Sequence, residues 1–136
     1  MKTRIVPSLR YQDCRQAIDW LCATFGFEEQ LLVPNENGGI PHARLVCGTA
    51  MIMLGDYHRD ADDPFGQLHK SPLQLDGYNT ASVYMIVEEL DNHYEKARAA
   101  GAEIVLDIVD EHGGRGYTCK DLEGHLWSFG SADPWE

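Results

Sequence analysis

Tyr117, Cys119, Trp127 and Phe129 stand at every second position on either side of the tetrapeptide Asp121-Leu122-Glu123-Gly124. Period two is the signature of a half-buried strand, so this stretch predicts two strands folded back as a hairpin. The turn has its own chemistry: Asp121 can accept a bond from the backbone two residues on, and Gly124 tolerates a positive φ. Earlier in the chain, residues 4–12 alternate, with Pro7, Leu9 and Tyr11 on one side and Val6, Ser8 and Arg10 on the other. Pro7 marks an edge or the start of that strand. The period then changes: Ala17, Ile18, Leu21, Cys22 and Phe25 form one helical stripe, Asp13 and Gln16 suggest a capping box, and Gly26 suits the residue that ends the helix. Strands are expected next at 27–33, 42–47 and 49–54, the first two joined across Asn35-Glu36-Asn37-Gly38-Gly39.

Residues 56–79 are rich in Gly, Asp and Pro and read as a long connection. Beyond it the same order begins again. A strand is expected at 82–87, a helix with Leu90, Tyr94 and Ala97 on one face ends near Gly101, and strands follow at 102–109, 116–120 and 125–129. Laying Val6 on Ser82 puts Asp13 on Glu89 and brings Gly26 within one residue of the position of Gly101. Three landmarks in register, with matching element order, predict a duplicated βαβββ unit: module one at about 1–55, the connection at about 56–79 and module two at about 80–136. The expected fold class is therefore α+β, two modules forming a curved mixed sheet with a cleft, within a single domain of 136 residues.

Composition narrows what such a cleft would hold. A formal net charge of −11 repels phosphate backbones and anionic lipid and favours a cationic or neutral small molecule, so nucleic acid and membrane are not expected partners. The longest nearly apolar run, 45–54, is far short of the ~18 residues of a membrane span, and the first residues carry no apolar leader, which predicts a soluble, unprocessed chain. Cys14, Cys22, Cys47 and Cys119 have no CxxC spacing and lie among apolar neighbours, as reduced thiols of a cytoplasmic protein would. Of the histidines, His42 and His125 fall at strand beginnings, His58, His69 and His112 in loops and His93 on a helix, without paired ligand spacing. The run Asp60, Asp62, Asp63 is broken for calcium by Pro64 and Phe65, and Gly113, Gly114 and Gly116 precede a strand, which favours a turn over a phosphate cradle.

The paired modules, Leu9-Arg10-Tyr11-Gln12-Asp13 entering the first helix, and Gly113-Gly114-Arg115-Gly116-Tyr117 leading into 121–129 together resemble the glyoxalase/bleomycin-resistance/dioxygenase, or vicinal oxygen chelate, superfamily. That resemblance implies a concave sheet in which metal enzymes hold an ion through His, Glu or Gln from four strands. The matching positions here are Val6, Met53, Ser82 and Ser128, a set with no competent hard-ion ligand, so no metal or other cofactor is expected. It implies as well a homodimer in which the cleft is completed across the subunit boundary. Trp20, Phe25, Trp127 and Phe129 are expected in the core. The opposite strand faces would present the candidate ligand-binding residues Ser8, Arg10, Met51, Met53, Ser82, Tyr84, Ile86, Leu126 and Ser128 to a small, partly aromatic molecule, neutral or cationic, with no catalytic residue assigned. Arg10 and Arg115 are candidate contacts for an anion. The expected function is that of the metal-free bleomycin-resistance branch, binding and sequestering an antibiotic-type molecule. The alternative is a metal-dependent lyase, isomerase or dioxygenase whose ligands have moved to residues such as His42, Glu123 or His125.

Overall fold

The computed structural model describes residues 1–57, 64–111 and 113–136, with Glu111 described through its backbone alone. His58, Asp60, Asp62, Asp63 and His112, discussed above, lie outside the described residues. The chain runs β1 (Ser8–Tyr11), α1 (Cys14–Phe25), β2 (Glu28–Val33), β3 (His42–Cys47) and β4 (Ala50–Asp56), then β5 (Val83–Ile86), α2 (Leu90–Ala99), β6 (Glu103–Glu111), β7 (Gly114–Lys120) and β8 (Leu126–Gly130). Both halves have the expected order. They also repeat one topology, because the strands form two four-stranded mixed sheets ordered β1-β4-β3-β2 and β5-β8-β7-β6. In each sheet the first strand of the unit runs parallel to the last, and the other neighbours are antiparallel.

Three local details differ from the pattern-based reading. The first strand begins at Ser8 rather than residue 4, since Pro7 has no N–H for a ladder; its carbonyl instead accepts from Met53 N–H at 2.9 Å. The connection is not structureless: it contains 3-10 turns at Gly66–Leu68 and Pro72–Gln74, the second capped by Ser71 and Gln74 in a reciprocal pair. At the start of α1, Asp13 Oδ1 accepts from Gln16 N–H at 3.1 Å, but the return bond to Asp13 N–H comes from Glu123 Oε2 at 2.9 Å, not from Gln16. Gly26 ends the helix in the left-handed region at φ +81°.

One core is shared by both halves. Ala17, Ile18, Leu21 and Phe25 of α1 are buried, and Phe25 packs on Trp127 and Phe129 of β8 with ring centroids 5.2 and 4.7 Å apart. Phe27 meets Trp127 edge to face, with centroids 5.8 Å apart. Trp20 is partly buried against this core. The strands alternate accordingly: Tyr11, Ile52, Leu54, Tyr117, Cys119, Trp127 and Phe129 point into the core, so Ser8, Met51, Met53 and Ser128 lie on faces turned away from it.

A buried polar seam ties the first half to the closing hairpin. Asp121 Oδ2 accepts from Tyr11 Oη at 2.6 Å and from Trp127 Nε1 at 3.0 Å, while its Oδ1 accepts from the N–H groups of Glu123 and His125. Glu123 in turn accepts from Gln12 N–H, Asp13 N–H and Ser71 Oγ. The carboxylates, 6% and 4% exposed, are thus held entirely by donors, the condition under which burial of a charge is tolerated. Burial and the Asp121 carboxylate push the Tyr11 phenol well above its ordinary range.

Candidate functional site

The outward face of the second sheet carries a cavity of about 420 Å³. Its floor is the β7–β8 pair, where Thr118 lies opposite Ser128 and their hydroxyls are hydrogen-bonded at 2.7 Å. Leu106 and Val109 of β6 form an apolar wall, 60% and 47% exposed. Tyr84 of β5 forms the wall opposite, and its hydroxyl donates to Ala132 O at 2.6 Å. This placement depends on Gly130, because a Cβ there would stand 2.5 Å from Tyr84 Oη. The remaining side is the C-terminal stretch Ala132, Asp133 and Pro134. Ser131 clips that stretch to β7: Ser131 N–H donates to Arg115 O and Arg115 N–H to Ser131 Oγ, both at 2.9 Å.

Arg115 lines this cavity with its charge already paired. Its guanidinium is directed to Asp91 on α2, with Nη1 to Oδ2 at 2.9 Å, and to Asp110, with Nε to Oδ1 at 3.6 Å. The Asp91 hydrogen bond pushes the guanidinium pKa up further. Behind the floor, His93 lies over Phe129 with centroids 4.1 Å apart and has Nδ1 2.6 Å from Tyr117 Oη. Burial among these rings, with help from Lys96, lowers His93 to about 4, while burial raises the Tyr117 phenol.

The nine expected site residues are distributed over both sheets. Tyr84 and Ser128 line the 420 Å³ cavity. Met51 and Tyr84 border a second, wider groove of about 1030 Å³ at the strand beginnings, which Ile5, Pro7 and Trp135 also line. Ser8 and Met53 are paired in register on the outward face of the first sheet. Arg10 is 6% exposed: its guanidinium donates to Pro41 O at 3.2 Å and lies 5.2 Å from the Phe65 ring centroid. Ser82 precedes β5 and is exposed, Ile86 is exposed on that strand, and Leu126 is half-buried at the start of β8. Leu106, Val109, Thr118 and Asp133 were not among the nine. The partner of Ser128 across the hairpin was available from the alternation and the turn, but the return of the C-terminus over β7 leaves no periodic signal.

Neither the family's metal positions nor the relocated set of the alternative reading fits a divalent ion. Val6 offers no donor, Met53 only a thioether, and the Ser128 hydroxyl is engaged with Thr118. Of the relocated ligands considered, Glu123 is occupied by its three donors, His125 Nε2 pairs with Arg10 O at 2.8 Å, and His42 Nε2 lies 3.4 Å from Arg44 Nε. Among the described residues no three His, Cys, Asp or Glu side chains are grouped to hold a metal. No helix among them is long and apolar enough to cross a membrane.

Two βαβββ units around a shared core, with cavities on the outward sheet faces, define a glyoxalase-type fold. Residues 4–129 match the model of the Glyoxalase/Bleomycin resistance protein/Dioxygenase superfamily, and the chain belongs to that superfamily. Among relatives, it is 30% identical over 125 residues to the uncharacterized protein Mb0911c of Mycobacterium bovis, covering 91% of this chain and 80% of that one. Among solved structures, TioX from Micromonospora sp. ML1 superposes with a TM-score of 0.72 and 32% identity, covering 96% of this chain and 97% of TioX. The fosfomycin resistance protein FosX from Listeria monocytogenes, in a complex with Mn(II) and sulfate, gives a TM-score of 0.69 at 14% identity, covering 100% and 97% of the two chains, and shares the fold. The superfamily spans glyoxalases, bleomycin resistance proteins and dioxygenases, and the fold is shared by a protein seen in a complex with Mn(II).

Proposed function

We propose that this protein binds and sequesters an antibiotic-type small molecule, neutral or cationic and partly aromatic, without metal and without chemical conversion. The observation that carries the reading is the cavity on the second sheet, where Tyr84, Leu106, Val109 and Pro134 surround a single hydroxyl pair. Such a lining offers an aromatic face and apolar walls for a flat body, with adaptable hydrogen bonding on the floor. The ligand-binding set proposed from the sequence includes residues of the first sheet, Ser8, Met51 and Met53, and these complete the cleft when a second copy lays its first sheet over the second sheet of its neighbour. The working unit is accordingly a homodimer. The four free cysteines support work in the reducing cytoplasm.

The test is a calorimetric titration with acridone, a neutral tricyclic probe, paired with light scattering for the mass. Saturable binding, recovery of unchanged probe and a mass twice 15.3 kDa are expected. Tyr84→Ala should weaken binding by roughly tenfold or more through loss of the stacking wall while leaving the denaturation midpoint close to that of the parent. Equal binding by the Tyr84→Ala variant, conversion of the probe on adding a divalent metal, or a monomeric mass would each count against the corresponding part of the reading.

A further inference from the structure

The donors and acceptors around the cavity are unequal. Tyr84 spends its hydroxyl proton on Ala132 O, and one of the two hydroxyl protons of Thr118 and Ser128 is spent between them. Arg115 directs its guanidinium to Asp91 and Asp110. One hydrogen is therefore left on these hydroxyls to be offered to a ligand, and Arg115 keeps its remaining N–H groups with its charge already paired to two carboxylates. Acceptors remain in excess: the Tyr84 oxygen, the hydroxyl pair and the carboxylate of Asp133. Asp133 is held in place by the C-terminal turn, in which Trp135 N–H donates to its Oδ1 at 2.8 Å and Glu136 N–H to its carbonyl at 3.1 Å. The turn reaches the cavity because residue 114 is glycine, where a Cβ would stand 2.7 Å from Ala132 N.

We propose that Asp133 is the specificity-determining residue of this cavity, selecting ligands that present a protonated amine beside an aromatic body. The inference rests on the reading of the cavity as a ligand site and goes further by assigning the charge preference to one side chain. An ammonium or amidinium donor meets the carboxylate in a charge-assisted bond next to low-dielectric walls, whereas a carboxylate or phosphonate meets the like charge of Asp133 and an Arg115 whose charge is already paired with Asp91 and Asp110. A diffuse attraction from the net charge of −11 would also favour cations, and the experiment has to separate the two.

Three acridines of matched shape do so: 9-aminoacridine as the cation, acridone as the neutral probe and acridine-9-carboxylate as the anion. The intact protein should bind 9-aminoacridine more tightly than acridone and acridine-9-carboxylate most weakly. Asp133→Asn keeps an Oδ1 acceptor for Trp135 N–H, so the turn is retained. It should weaken 9-aminoacridine by about tenfold and leave acridone unchanged. Glu36→Gln removes an equal charge from the exposed β2–β3 turn and should alter neither. If Asp133→Asn leaves the cation preference intact, or Glu36→Gln reduces it as much, the assignment to Asp133 is overturned while acridone binding preserves the ligand-site reading. If none of the three probes binds the intact protein, both fall together.

Discussion

Replacing Asp121 tests whether the polar seam joins the two halves into one folding unit. The carboxylate is 6% exposed and accepts four hydrogen bonds, two from side chains and two from backbone. In Asp121→Asn the retained Oδ1 still serves Glu123 and His125, but an NH2 group replaces Oδ2. The Tyr11 hydroxyl can turn to accept from it; the Trp127 indole cannot, and a buried donor is left facing a donor. One stranded donor costs roughly 1–3 kcal/mol, and loss of the charge weakens the remaining bonds by about another 1 kcal/mol, so roughly 2–4 kcal/mol is expected. Asp121→Ala strands all four donors and leaves a hole, and should cost about 4 kcal/mol or more. Tyr11→Phe removes one donor while three remain, for about 1–2 kcal/mol. Urea denaturation followed by tryptophan fluorescence and by far-UV circular dichroism measures these values, and coincident curves are expected because positions 11 and 121 belong to one core. The double variant should cost less than the sum of the single variants, since they share a bond. An Asp121→Ala loss under about 1 kcal/mol, or a Tyr11→Phe loss as large as that of Asp121→Ala, would refute the reasoning.

Two further outcomes follow from particular side chains. Asp13→Ala should cost about 1 kcal/mol by removing the bond to Gln16 N–H, whereas Gly124→Val should cost roughly 2 kcal/mol or more, because residue 124 sits at φ +92° and its Cβ would stand 3.3 Å from Pro72 Cβ; equal and negligible losses would contradict the turn assignment. His93 lies below its ordinary value of 6.5, at about 4, so the unfolded chain takes up a proton before the folded one as pH falls. Its contribution is fully present above pH 6.5 and is lost between 6.5 and 4. His93→Phe should flatten that part of the pH-stability curve, and an NMR titration of His93 centred near 6.5 in the folded protein would rule the effect out.

What the chain determined by itself is the set of elements and their repetition. The helical stripe from Ala17 to Phe25, the Gly26 stop and the alternation around Asp121 and Gly124 depend on contacts between near neighbours, and the structure reproduces them with ends shifted by a few residues. Local chemistry also specified which side of each strand enters the core, as Trp127 and Phe129 against Leu126 and Ser128 illustrate. Tertiary structure decided what the other side meets. Whether an outward-facing residue is covered depends on segments distant in sequence: Phe65 lies over Arg10, and the stretch after Gly130 returns along β7 so that Asp133 and Ser128 line one cavity. The same holds for charge. Arg115 reads in the sequence as an available anion contact, and only the packing of α2 beside β7 pairs it with Asp91. Even the capping of α1, a local motif in the sequence, is completed by Glu123 from 110 positions away, because a buried N–H is satisfied by whichever acceptor the fold brings within reach.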